Sequence, residues 1–434
     1  MKLRILLINP WIYDFAAYNM WAKPLGMIKV MQYLSQFHAD VHVIDCTDAY
    51  TPERFSAGHY LSTPVPKPPV LSHVPRQYRR YGKSPDDVAR EIRSFGHADI
   101  VCVGSMMSYW YPGVQHAVSL VREMLGDVPI ILCGVYASLY QEHAAAVSGV
   151  DAVYAGRIDN GFLHLLGTFG FRLKHRSRST PSAGKQAVHG SRAAPILAST
   201  GCPYCCTYCA SSLLSPRWMQ RSPEDVADEV TLLAGAGVSD FAFYDDALLS
   251  NARGLMKPLL RMIIARGISA RFHTPNGLHA RFLDEELAAL MHAAGFATIR
   301  LGLETADAVR QEETVGKVFT DDLERAVAAL LRAGFPPSRV GVYLMHGLPG
   351  QSPAEVDEGV NLVRSLGVRI CLTEFSPVRG TVAWDALVKD ETIPDDLDPL
   401  LTNNSIFAML FCGHDAKELR TLRLSVKRYN EGLL

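Results

Sequence analysis

The chain has 434 residues, 48% of them hydrophobic and 20% charged, which excludes a disordered or fibrous protein. Its 43 Lys and Arg stand against 44 Asp and Glu, a formal net charge of -1, so nucleic acid is not the expected partner. At roughly one domain per 150 residues, the length suggests about three units.

The apolar run Ile5–Ile8 is too short for a signal-peptide core, and Leu3–Ile8, ended by Asn9-Pro10, reads as a buried first strand. Val41–Ile44, Ile100–Gly104, Ile130–Cys133 and Ala152–Tyr154 are further strand candidates. Helical patterns fall over Pro24–Phe37, Pro85–Phe95, Pro112–Leu125 and Leu139–Val147. This alternation predicts an α/β fold whose first domain, residues 1–170, is a doubly wound, Rossmann-like sheet. Residues 51–84, rich in Pro, Tyr and Arg, read as an irregular excursion over the strand ends. Residues 171–193 carry six Lys and Arg and almost no large apolar side chains, which suits a solvated basic linker.

A second alternating series fills residues 194–385. Its strand candidates are Pro195–Ser199, Asp240–Tyr244, Ala270–His273, Thr298–Leu303, Arg339–Leu344 and Ile370–Phe375. Helices over Pro223–Ala234, Asp284–Ala294, Asp321–Ala333 and Pro353–Leu366 lie between them. Six such units predict a partial (β/α)6 barrel, with residues 386–434 as a helical extension. No stretch approaches the roughly 18 apolar residues of a membrane span. A cytoplasmic protein is expected, where thiols stay reduced.

Four of the nine cysteines crowd into residues 202–209, and two of them, Cys205 and Cys206, are adjacent. Adjacent cysteines do not suit a disulfide framework, and this cluster follows the first barrel strand. Zinc would call for a second ligand pair, and none is nearby. Cys202, Cys206 and Cys209 give Cys-x3-Cys-x2-Cys, three thiolates for a four-iron cluster that leave one iron open to a non-protein ligand. Cys205 reads as a spare thiol. Cys46, Cys102, Cys133 and Cys371 read as small buried hydrophobes.

This spacing, with Tyr208 before the last cysteine, resembles the signature of radical SAM enzymes. The resemblance implies a [4Fe-4S] cluster on Cys202, Cys206 and Cys209, with S-adenosylmethionine on the open iron. Reductive cleavage of that molecule to a 5′-deoxyadenosyl radical is the family's chemistry. Later segments follow the family's order: Phe243-Tyr244-Asp245-Asp246, Arg300-Leu-Gly-Leu-Glu304, Gly341-Val-Tyr343-Leu-Met345-His346, and Glu374-Phe-Ser-Pro377 through Thr381. By that resemblance Tyr208, Asp245, Asp246, Asn276, Glu304 and Met345 would contact S-adenosylmethionine. The tandem aspartates could equally cap a helix.

The doubly wound domain ahead of such a barrel resembles the cobalamin-binding class of the family. The turns bearing Gly104, Ser105, Met106, Gly134, Tyr136, Ala137 and Gly156 would then lie against the corrin ring. Small residues permit close approach, and Met106, Tyr109, Trp110 and Tyr111 offer apolar surface. No Asp-x-His-x-x-Gly box is present, so cobalamin would bind without a lower histidine from the protein. Arg157-Ile-Asp159-Asn160 also departs from the acidic turn usual there. Trp11 through Trp21 form an aromatic stretch that reads either as a domain-interface cap or as a hydrophobic plug.

His273, Tyr343, His346 and Glu374 are candidates for proton donor or substrate anchor, and His279 for a hydrogen-bonding partner, from their places at strand C-terminal ends. The expected reaction is hydrogen abstraction followed by methyl transfer from methylcobalamin to carbon of a small-molecule or natural-product substrate. A flavodoxin or ferredoxin would serve as one-electron donor. Rearrangement, dehydration or ring closure without methyl transfer is the alternative, with a non-enzymatic cobalamin or cluster carrier as a third. A tRNA methylthiotransferase is disfavoured, since the chain has neither a second cysteine cluster nor a basic C-terminal RNA module.

Overall fold

A computed structural model of the chain describes residues 2–51, 58–176, 191–313, 318–413 and 415–434. Most of the basic stretch, residues 177–190, lies outside them. The chain divides into two compact units: Met1–His189 with Asp398–Asn403, and Gly190–Leu397 with Asn404–Leu434. The segment read as one extension is therefore shared: six of its residues belong to the first unit.

In the first unit, β1 (Leu3–Asn9), β2 (Ala39–Asp45), β3 (Ile100–Val103), β4 (Ile130–Cys133) and β5 (Ala152–Tyr154) form a wholly parallel sheet in the order β5-β4-β3-β1-β2. Alternation along β1 explains its burial on both sides. Ile5 and Leu7 join Met27, Met31, Leu34, Phe162 and Leu166 on one face, while Leu6 and Ile8 join Val88, Ile92, Val114 and Val121 on the other. Cys46, Cys102 and Cys133 are buried. Residues read as an irregular excursion contain order. Ser62–Pro64 and Arg79–Tyr81 make a small antiparallel sheet with Ile12–Asp14. The helix expected over Leu139–Val147 is two, Val135–Leu139 and Gln141–Val147, broken at Tyr140, whose φ of -132° is not helical.

In the second unit, β6 (Ala193–Ile196), β7 (Asp240–Phe243), β8 (Arg271–His273), β9 (Phe296–Glu304), β10 (Val340–His346) and β11 (Arg369–Glu374) pair in parallel and in sequence order. Among the described residues β6 and β11 do not pair, so the barrel is open. Leu278–His279 adds a short parallel pairing to β9. Helices start on a repeated pattern: Ser84, Ser222 and Ser352 each precede a proline and accept the N–H of an acidic residue three positions on. The serine satisfies an orphan donor while proline supplies a φ already helical.

Candidate functional site

The cysteine loop is held at its base by a short ribbon in which Ser199–Thr200 pairs antiparallel with Met219–Gln220. Gly201 enters the loop at φ 76°, and a Cβ there would meet Arg217 O at 2.8 Å and Ser215 O at 2.9 Å, so only glycine fits without displacement. Cys209 N–H donates to Cys206 O at 3.0 Å, and Ala383 N–H donates to Thr207 O at 2.9 Å, which fastens the loop to the start of the helix Val382–Lys389. Tyr204 packs edge-on against His279, ring centroids 4.8 Å apart.

Cys206 is buried, Cys202 is half-buried, and Cys205 and Cys209 are exposed. The Cys209 thiol contacts Ser211 Oγ at 3.3 Å. Among the described residues no three His, Cys, Asp or Glu side chains are gathered to one metal-holding point, so the thiols share a loop without converging. Their chemistry nonetheless fits an iron–sulfur cluster: soft thiolates on one loop beyond a strand's C-terminal end. Tyr208 lies near two of these sulfurs. Burial pushes its hydroxyl pKa up, with Glu304, Cys206 and Cys209 near enough to add to the shift.

The neighbouring strand ends are linked by hydrogen bonds. Asp245, just beyond β7, accepts from Ala198 N–H at 3.1 Å, from Ser199 Oγ at 2.7 Å and from Ser199 N–H. Burial raises its pKa to about 6. Its carboxylate is thus occupied inside the barrel rim, and the exposed Asp246 is the member of the pair open to solvent. Asn276 Nδ2 donates to the carbonyls of Tyr244 (3.0 Å) and Asp245 (3.2 Å). Tyr343 donates to Pro275 O at 2.7 Å, and burial pushes its pKa up to about 12. Glu304 closes β9 at φ 70°, a left-handed conformation rare for a non-glycine residue, after a register shift beyond Gly302. Met345, half-buried on β10, offers its carbonyl to Gln351 Nε2 at 3.1 Å.

The four proton-donor candidates separate. His273 is buried between Thr298 Oγ1 (3.0 Å) and Asp240 Oδ1 (3.1 Å), and Arg271 clamps Asp240 with two hydrogen bonds of 2.7 and 2.6 Å. Burial lowers the His273 pKa, and its ring is part of a core network. Tyr343 lies beside Gly277 at the rim. His346, fully buried, has Nε2 3.8 Å from Glu374 Oε1, and Arg423 of the helix Ala416–Glu431 pairs with the same oxygen. Arg423 carried no signal in the sequence beyond being one arginine on a charged helix.

In the first unit the strand order reverses between β1 and β3, the switch point at which doubly wound sheets bind ligands. A cleft opens there. Asn9, Lys23 and Thr47 supply its polar lining, and Met106, Met107 and Trp110 its apolar lining. Lys23 Nζ is anchored to Asp48 Oδ1 at 2.6 Å. An apolar wall facing a polar edge fits a broad, flat ligand with polar side groups.

The predicted corrin contacts divide accordingly. Ser105 and Met106 line the cleft. Gly104 N–H donates to Ile8 O at 2.8 Å, and its α-carbon faces the Met27 side chain. Gly134 has φ 100° and a Cβ there would meet Ser105 O at 2.3 Å, which lets Ser105 receive Tyr136 N–H at 3.1 Å and donate to Cys133 O at 2.8 Å. Tyr136 and Ala137 are wholly buried, the tyrosine hydroxyl meeting His143 Nδ1 at 2.6 Å, so their side chains pack in the core and are not among the residues lining this cleft. Gly156, at φ 94°, is exposed and outside the lining. Trp11, buried and stacked on His116 at 4.4 Å, donates to Lys83 O at 2.8 Å. Asn9, Lys23, Thr47 and Tyr60 also reach the cleft. Of these, only Asn9-Pro10 carried a sequence signal.

Residues 196–363 match the Radical SAM superfamily. Over 413 residues the chain is 23% identical to cytidylyl-2-hydroxyethylphosphonate methyltransferase of Streptomyces wedmorensis, covering 80% of this chain and 73% of that protein. TsrM from Kitasatospora setae, a radical S-adenosylmethionine methyltransferase solved with cobalamin and a [4Fe-4S] cluster bound, is similar at a TM-score of 0.65 and 17% identity. That match covers 90% of this chain and 78% of TsrM. OxsB, a cobalamin-dependent S-adenosylmethionine radical enzyme solved with aqua-cobalamin and S-adenosylmethionine, is similar at a TM-score of 0.56 and 13% identity, over 90% of this chain. The chain spans only 55% of OxsB. No helix among the described residues is long and apolar enough to cross a membrane. Residues 196–363 thus match the Radical SAM superfamily, and the chain shares its fold with TsrM and OxsB.

Proposed function

We propose that the protein is a cobalamin-dependent radical SAM methyltransferase acting on carbon of a small-molecule substrate. The observation that carries this reading is the Cys202–Cys206–Cys209 loop at the open end of a parallel barrel, in a chain whose other unit has a cleft at its switch point. When bound, the cluster with S-adenosylmethionine supplies a 5′-deoxyadenosyl radical, and cobalamin supplies a transferable methyl group.

The chain's own residues have distinct tasks in this reading. Cys202, Cys206 and Cys209 hold the cluster, and Tyr208 excludes water beside it. Asn276 fixes the Tyr244 and Asp245 carbonyls where the second strand ends, and exposed Asp246 offers a carboxylate to a cationic amine. Glu304 is held in a strained turn next to Tyr208, a place suited to a ribose or amino-acid contact. His346 and Glu374, backed by Arg423, are the proton-handling pair, since His273 is enclosed in its network with Asp240. Met106, Met107 and Trp110 form the apolar wall for cobalamin, and Asn9, Lys23 and Thr47 its polar edge.

One relative is named for a cytidylylated phosphonate, and TsrM was solved with tryptophan as substrate. A natural-product precursor is the substrate class proposed here. The expected compartment is a reducing cytoplasm, where a flavodoxin or ferredoxin would deliver the electron. Anaerobic protein should bind hydroxocobalamin with a changed visible spectrum and, given substrate, transfer a deuterated methyl group from labelled S-adenosylmethionine. Cobalamin binding with 5′-deoxyadenosine formation but no methylated product would favour a rearrangement or ring closure.

A further inference from the structure

Asp14 is a buried carboxylate, 2% exposed, that the proposed chemistry does not use. Its Oδ2 accepts from Trp110 Nε1 at 2.6 Å. Its Oδ1 accepts from Asn403 Nδ2 at 2.9 Å and from the N–H groups of Phe15 (2.6 Å) and Ala16 (3.4 Å). Burial pushes its pKa up while these donors pull it down. Trp110 lines the cleft at the switch point. Asn403, 1% exposed, ends the six-residue segment Asp398–Asn403 that belongs to the first unit although it follows the barrel in sequence. The same segment reaches the next residue along, since Tyr111 donates to Asp398 Oδ2 at 3.4 Å.

An indole on a cleft wall can rotate about two side-chain bonds unless its N–H is fixed. Here a buried acceptor fixes it, and that acceptor is in turn fixed by a side chain 389 residues away. Burying a carboxylate is costly unless its lone pairs are filled, so losing one donor disturbs the others.

We propose that Asp14 is a positioning residue that sets the Trp110 wall of the cleft, and that Asn403 is part of the same device. The Asp398–Asn403 segment is then a determinant of what the cleft binds. The identity of the ligand as cobalamin rests on the function proposed above; the control of Trp110 by Asp14 and Asn403 does not.

The test uses full-length Asn403→Ala and Asp14→Asn, with Trp110→Phe as the reference for the Trp110 signal. The first readout is the near-ultraviolet circular dichroism of the ligand-free proteins. Both variants should lose the band that Trp110→Phe removes, while Asn403→Ala keeps a cooperative thermal transition. The second is titration with hydroxocobalamin, where both should bind at least about tenfold more weakly than wild type. A Trp110 band unchanged in Asn403→Ala, or wild-type affinity in both variants, overturns the proposal. Should wild type itself fail to bind hydroxocobalamin, the cofactor reading falls, and the circular dichroism comparison alone decides the role of Asp14 and Asn403.

Discussion

Ser199 Oγ donates to Asp245 Oδ1 at 2.7 Å, so a single buried carboxylate joins the chain leaving the first barrel strand to the end of the second. The cysteine loop begins three residues beyond Ser199. A group that reads in sequence as an S-adenosylmethionine contact or a helix cap therefore helps to set the root of the loop, and its neighbour Asp246 is left exposed.

That placement has a pH signature. Burial raises the Asp245 pKa from 3.8 to about 6. A folded-state value above the unfolded one contributes stability that is fully present below the unfolded value and lost as pH rises through the folded one. From about pH 4 to about pH 7, wild type should lose unfolding free energy relative to Asp245→Asn, measured by urea denaturation. A difference independent of pH across that window would show that Asp245 titrates as an exposed carboxylate.

The three proposed ligands should be separable from their neighbour by iron content. Cys202→Ala, Cys206→Ala and Cys209→Ala should each fail to hold the full complement of about four irons after anaerobic reconstitution, and Cys205→Ala should hold it. Iron loss in Cys205→Ala with retention in Cys206→Ala would reassign the triad.

Gly201→Ala tests the loop's entry without touching a sulfur. Its φ of 76° and the carbonyls of Ser215 and Arg217 leave no room for a methyl group. The variant should lose about 1–3 kcal/mol of stability and load iron poorly. Wild-type iron content at wild-type melting temperature would mean that the loop accommodates the change.

Asp240→Ala should act on the fold alone. It strips buried His273 and Arg271 of a shared acceptor, at a cost of about 1–3 kcal/mol in denaturant unfolding. His273→Gln should then retain most of the activity per folded molecule. A large fall in kcat with unchanged stability would return His273 to the chemistry.

Much of this was legible locally. Leu3–Ile8 spelled out a two-sided strand because Ile5 to Ile8 form a continuous apolar run, and every barrel strand overlaps a β-rich run bounded by turn residues. Ser-Pro followed by an acidic residue marks three helix starts within four positions. The cysteine loop stands out in the sequence by its spacing alone. What the sequence hid was long-range or directional. Nothing near Asp14 points to Asn403, and nothing in Asp245-Asp246 says which carboxylate turns inward. Tyr136 sits on a glycine-led turn that suggests ligand contact, yet its helix buries it against His143.

The central claim is tested most directly by the fate of S-adenosylmethionine. Anaerobically reconstituted protein, given S-adenosylmethionine and a one-electron reductant, should form 5′-deoxyadenosine, and Cys202→Ala/Cys206→Ala/Cys209→Ala should form none. Equal product from wild type and the triple variant, or none from wild type holding about four irons, would contradict it.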